Sequence, residues 1–168
     1  PVLDDTDGRR PLLLLASRLL LTRHFGEAGW AAVAKALGRL SESLHWLPAR
    51  LLYLDDERCL SSVGVAPVYP RDPDGILTFI GEAERALFDG RLANVWLIGG
   101  DALLPSFQLD NPAEDGDTVI LSDAPYASAT GDPYAPVRAV GRLPHLDGSA
   151  ESFVALIRRN TFSQDLPC

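Results

Sequence analysis

Four short apolar stretches, set between longer segments of helical period, constrain this chain more than any other feature. Pro11-Leu12-Leu13-Leu14-Leu15-Ala16 carries no polar alternation, as expected of a strand buried on both faces of a parallel sheet. From Gly26 the period changes, and Trp30, Val33, Leu37, Leu40 and Leu44 recur at three and four residues to form one helical stripe. Ala49 to Leu54, followed by Asp55-Asp56, reads as a second strand with an acidic carboxyl end. Ser61 to Asp74, with Pro67, Pro70 and Pro73, reads as loop. Asp74 offers an acceptor to the free amides of a new helix whose inner face is Ile76, Ile80, Ala83 and Leu87, with Gly90 as its left-handed cap. Val95-Trp96-Leu97-Ile98 is the third buried strand, turned sharply by Gly99-Gly100-Asp101. A polar loop from Leu109 to Pro136 holds one apolar run, Val119-Ile120-Leu121. Val137 to Val140 reads as a fourth strand broken by Gly141-Arg142-Leu143-Pro144, and Ser149 caps a last helix carrying Phe153, Leu156 and Ile157.

This order predicts an α/β fold: a three-layer sandwich with a mainly parallel sheet of about four core strands and helices on both faces. The 168 residues fit one domain, with loose tails at 1–10 and 160–168. The first residue is Pro1 and no Met occurs, so we read the chain as a fragment or a processed product. No apolar run exceeds five residues, which excludes a helical membrane span. A net charge of −8 with scattered arginines lacks the basic stripe that nucleic acid requires, so neither nucleic acid nor membrane is expected as a partner.

In such sheets the functional crevice lies off the carboxyl ends of the strands. The residues delivered there are Ser17, Asp55, Asp56, Gly99, Gly100, Asp101, Gly141 and Arg142. Asp55 and Asp56 resemble an aspartate phosphorylation pocket, but the only lysine, Lys35, precedes that strand on a helix and is badly placed for it. Gly99-Gly100 lacks both the dinucleotide fingerprint and the phosphate-loop ending. Asp110, Asp115 and Asp117 could gather oxygen ligands for Ca²⁺, although their spacing matches no EF-hand; no other cofactor is expected. Cys59 follows Asp55-Asp56-Glu57, whose field opposes a thiolate, and Cys168 ends the chain. His24 and His45 flank the first helix, while His145 is the best placed imidazole and has no nucleophile motif beside it.

Three pieces in order carry a family resemblance. Val95 to Phe107 contains Gly99-Gly100-Asp101 and Pro105; Leu121-Ser122-Asp123-Ala124-Pro125-Tyr126 follows; Val140-Gly141-Arg142-Leu143-Pro144 precedes a helix. Together they resemble the gingipain-like cysteine peptidases of the caspase-like clan. The resemblance implies a caspase-like sheet and, specifically, the first, non-catalytic half of the catalytic unit. That family's His-Gly and its Cys at a strand end have no counterpart here, so no catalytic residue is assigned.

Three readings follow. The first is a non-catalytic subdomain that packs against a downstream catalytic half or partner chain and shapes a peptide-substrate cleft; it expects apolar surface left exposed. The second is a flavodoxin-like module that takes a small anionic or metal-bound ligand near Asp55, Asp56, Gly99, Gly100, Asp101, Ser122, Asp123 and Arg142. Each of these residues also has a structural use as a turn, a cap or an anchor. A third, weaker reading would make the chain itself a hydrolase using His145 with Ser17 or Ser122.

Overall fold

The computed structural model describes residues 10–113, 116–145 and 148–161. Asp115, Cys168 and most of both expected tails therefore lie outside the described residues. Strands β1 (Leu12–Ala16), β2 (Ala49–Tyr53), β3 (Asn94–Ile98) and β6 (Ala139–Leu143) form one all-parallel sheet in the order β2-β1-β3-β6. Helices α1 (Arg18–Ser43), α2 (Glu57–Ser61), α3 (Pro73–Phe88) and α4 (Ala150–Arg159) connect or follow these strands. Strands β4 (Phe107–Asp110) and β5 (Val119–Ser122) make a separate antiparallel hairpin, followed by a 3₁₀ turn at Ala124–Ala127. The expected three-layer α/β architecture is the one observed.

The layers follow from alternation along β1. Leu13 and Leu15 pack with Ile76, Phe79, Ile80 and Ala83 of α3, whereas Leu12, Leu14 and Ala16 pack with Val33, Leu37 and Leu40 of α1 and Phe153 and Ile157 of α4. Every residue of β1 is buried. An unbroken apolar run is what a strand with cores on both sides requires.

Several boundaries differ from the sequence expectation, each for a tertiary reason. The first helix begins at Arg18 rather than Gly26, because Ser17 caps it; Gly26, at φ 71°, kinks it where the expected helix was to start. Helix α3 has its N-cap at Asp72 with Pro73 in its first turn, two residues before the expected Asp74. It ends with both Asp89 (φ 51°) and Gly90 (φ 72°) left-handed. Strand β6 runs through Gly141, Arg142 and Leu143, which had been expected to break it, because Gly141 and Leu143 join the hydrogen-bond ladder to β3 and hold Arg142 extended between them. Val137, the expected first residue of that strand, is 63% exposed and precedes it. The Leu109 to Pro136 segment is not all loop: it holds part of the hairpin and the 3₁₀ turn. Asn160 and Thr161, placed in the expected tail, hydrogen-bond back onto the last turn of α4.

Because Leu15 is fully buried between two neighbouring strands, its truncation leaves a cavity the sheet cannot close. Leu15→Ala should lower unfolding free energy by about 2–5 kcal/mol, measured from the urea midpoint at unchanged slope.

Candidate functional site

The strand order reverses between β1 and β3, so the crevice of this fold lies beyond their carboxyl ends. The polar residues there fall into two clusters and an aromatic corner.

The first cluster is built on Asp55, just past β2. Its carboxylate accepts from the Ser17 hydroxyl at 2.7 Å and from the amides of Arg18 and Leu19 at 2.9 and 2.8 Å, while Ser17 Oγ accepts from Leu20 N–H at 3.0 Å. Together the two residues satisfy three free amides at the amino end of α1, where the helix dipole also favours an anion. Asp56 does the same for α2, accepting from Cys59 N–H at 3.2 Å. An open hollow of about 390 Å³ lies beside Asp55, lined by Arg18, Leu19, Thr22 and Glu27.

The second cluster is centred on Arg142 in β6. Its Nε and Nη2 donate to the two oxygens of Asp123 at 2.7 and 2.5 Å, Nη1 donates to the carbonyls of Gly99 and Leu104 at 2.9 and 2.7 Å, and Nη2 also reaches Ser106 Oγ at 3.3 Å. All five guanidinium N–H groups thereby have acceptors. Ser106 in turn donates through its hydroxyl to Asp123 and through its amide to Asp101, at 3.0 and 2.7 Å. Ser122 accepts from Ala124 N–H at the start of the 3₁₀ turn. Buried Tyr126 closes the cluster, donating to the Pro105 carbonyl at 2.7 Å. Thus Gly99, Asp101, Asp123 and Arg142 come together, whereas Asp55 and Asp56, which the sequence reading placed in the same site, serve the amino ends of α1 and α2; the guanidinium ties the β3–β4 connection and the turn after β5 to one strand. Ser106 and Tyr126 complete the cluster but were not singled out; both stand inside the motif segments that carry the resemblance.

Glycine is required at the turn itself. Gly99 has φ 114°, and a Cβ there would approach Leu103 to 2.7 Å. Gly100 donates its amide to His145 Nδ1 at 3.1 Å, so the imidazole carries its proton on Nε2. His145 stands edge-on to His24, with ring centroids 4.7 Å apart, inside a corner completed by Phe25 and Phe153. This pairing of two distant histidines was not legible, since His24 reads as a helix-end residue and nothing local joins it to His145.

Of the three carboxylates considered for Ca²⁺, Asp115 lies outside the described residues. Asp110 lies in β4, and the Asp117 carbonyl accepts from Asn111 Nδ2. Among the described residues no group of three His, Cys, Asp or Glu side chains could hold a metal ion. Cys59 is exposed beyond β2 and His145 follows β6. The imidazole is held beyond the inner strand β3 by Gly100 and beside His24 of α1, while the thiol is carried by α2. Ser17 is two strands from β6, and its hydroxyl is engaged by Asp55 and Leu20. Outside the crevice, Arg138 and Glu84 form a 2.5 Å ion pair, with the arginine side chain only 2% exposed.

Two tyrosines are held neutral. Burial, reinforced by Asp56 and Cys59 and opposed by Arg18, pushes the Tyr53 phenol up to about 12. Burial also raises that of Tyr126, against the opposing charge of Arg142.

No family model and no curated protein matches the sequence. Among solved structures the chain is similar to one described as "Structure of Protease", at 18% identity and a TM-score of 0.47 over 88% of this chain and 26% of that one. It is also similar to the Arg-specific cysteine proteinase gingipain R, at 13% identity and a TM-score of 0.44 over 90% of this chain and 28% of that one. The chain thus spans about a quarter of the length of the structures it matches.

Replacing Arg142 by Lys keeps the charge but leaves one compact ammonium to serve acceptors in four residues. The substitution should cost about 2–3 kcal/mol of stability in urea unfolding. The folded-state phenol values of Tyr53 and Tyr126 lie above the ordinary value of 10. Their contribution to stability is therefore complete below pH 10 and is lost as the pH rises towards 12 and beyond. An alkaline titration of phenolate absorbance should show a late component near pH 12 that disappears in Tyr53→Phe.

Proposed function

We propose that this chain is a non-catalytic, caspase-like subdomain of a gingipain-type cysteine peptidase, supporting a catalytic half that lies outside it. The order of the Gly99-Gly100-Asp101, Ser122-Asp123 and Gly141-Arg142 elements supports the family reading, because one guanidinium interlocks all three. The observation that carries the non-catalytic part is the setting of the two groups: Cys59 is exposed on α2, whose cap is Asp56, while His145 is engaged by the Gly100 amide and packs against His24 and Phe25. A cysteine peptidase needs sulfur and imidazole within hydrogen-bond reach. The serines considered as alternatives, Ser17 and Ser122, both have hydroxyl oxygens committed to local helix or turn amides.

The second reading, a ligand module at Asp55, Asp101 and Arg142, gains no comparable support. The acceptors of Asp55 and the donors of Arg142 are engaged by the chain's own backbone and side chains. A ligand would have to displace these bonds. Exposed Val119, Ile120 and Leu121 on the hairpin supply apolar surface of the kind the subdomain reading expects.

The 168-residue chain should show no turnover of peptide substrates ending in Arg or Lys. Turnover that is abolished by a thiol alkylator and by Cys59→Ser would overturn the reading.

A further inference from the structure

The sheet has two edge strands, and they are treated differently. On β2 the residues facing outward are Ala49, Leu51 and Tyr53, since Leu12 N–H donates to Pro48 O and Leu54 N–H to Ala16 O on the inner side. The chain itself covers most of that edge. Ala49 N–H donates to Leu47 O, the Ala49 carbonyl accepts from Arg50 Nη1 at 3.1 Å, and the Tyr53 carbonyl accepts from Asp56 N–H. An edge blunted by an arginine and by its own turns resists strand addition.

On β6 the ladder to β3 uses Ala139, Gly141 and Leu143, as the bonds Ala139 N–H to Ala93 O and Gly99 N–H to Leu143 O show. Val140 and Arg142 therefore point both their N–H and C=O groups outward, and among the described residues no strand pairs with that side. The Arg142 side chain, which could have screened this edge, is turned to Asp123 and the Gly99 turn instead. A groove of about 200 Å³ lines the same edge, formed by Trp96, Gly141, Arg142, Leu143 and Asn160. Trp96 pairs with Gly141, whose missing side chain leaves the indole uncovered towards the free edge. Glycine inside a strand marks the close approach of another backbone. Helix α4 leads to the same place, since Asn160, its C-cap, lines the groove. In parallel sheets, a strand that follows such a helix most often enters beside the strand that precedes it.

We propose that the free edge of β6, with the Trp96–Leu143–Asn160 groove, is a docking site for an extended β-strand contributed by the catalytic half, with an apolar side chain of that strand seated beside Gly141. The source of the strand rests on the function proposed above; the backbone chemistry rests on the edge alone. Alternating donors and acceptors at two-residue spacing are matched by another extended backbone, and the groove selects one side chain on the face shared by Trp96 and Gly141.

The probe is a capped peptide of alternating Val and Thr, followed by amide hydrogen exchange of the full 168-residue chain. Exchange at Val140 and Arg142 should slow at least tenfold with the peptide, and the same peptide N-methylated at alternate residues should have no effect. Val140→Pro removes an outward N–H without touching the ladder to β3, so its urea midpoint should match the parent while peptide affinity falls at least tenfold. Gly141→Val gives a second check. Its new Cβ meets Trp96 at 3.5 Å, an ordinary contact, and its methyls fill the groove, so affinity should fall again. Unchanged exchange at Val140 and Arg142 at the solubility limit of the peptide would overturn the proposal, as would equal protection of Leu51 and Tyr53. Either result leaves the peptidase-subdomain reading standing, and turnover by the chain alone would remove that reading without affecting the edge.

Discussion

Burial of β1 on both faces is the constraint from which the rest of the structure follows. Its five residues are between 0 and 4% exposed, and a strand in that position needs a neighbour on each side and a helical layer above and below. Strands β2 and β3 supply the neighbours; α1 and α4 cover one face and α3 the other. With both faces apolar, the polar work of the molecule is forced to the ends of the strands and to the two sheet edges. Those are the places where every candidate function had to be sought.

At the strand ends, charge is used mainly to hold the fold. Asp55 satisfies the amino end of α1 from just beyond the next strand, β2, and Arg142 clamps the β3–β4 connection and the turn after β5 to β6. Both devices bring residues far apart in sequence into contact, and a charged group with its partners fully provided by the chain has little left for a ligand. A crevice built this way is a rigid platform.

Much of the candidate site was legible in the linear pattern because turns and strand ends have strong local chemistry. Gly99-Gly100, Asp123 and Arg142 could be picked out because a buried apolar run must end in a turn, and glycines, acids and arginines beside such ends usually cap or anchor. Their mutual contacts were not legible, because nothing local states that Arg142 reaches back to Gly99 and Leu104. The extent of β6 was misread for the same reason. Gly141 and Arg142 are poor strand residues by propensity, yet the waiting ladder of β3 and the ring of Trp96 accept them. Likewise, the first turn of α1 lacked an apolar stripe and showed itself only once Ser17 and Asp55 met.

What the amino-acid sequence determined by itself was the layered α/β architecture, the inward faces of α1, α3 and α4, and the absence of any stretch apolar enough to form a membrane-spanning helix. These depend on periodicity and burial, which each segment carries alone. Tertiary structure alone decided which side of the sheet each edge exposes, which carboxylate serves which helix, and that His145 meets Gly100 and His24. Those outcomes depend on strand order, and strand order is set by how the helices pack across the sheet rather than by any local run of residues.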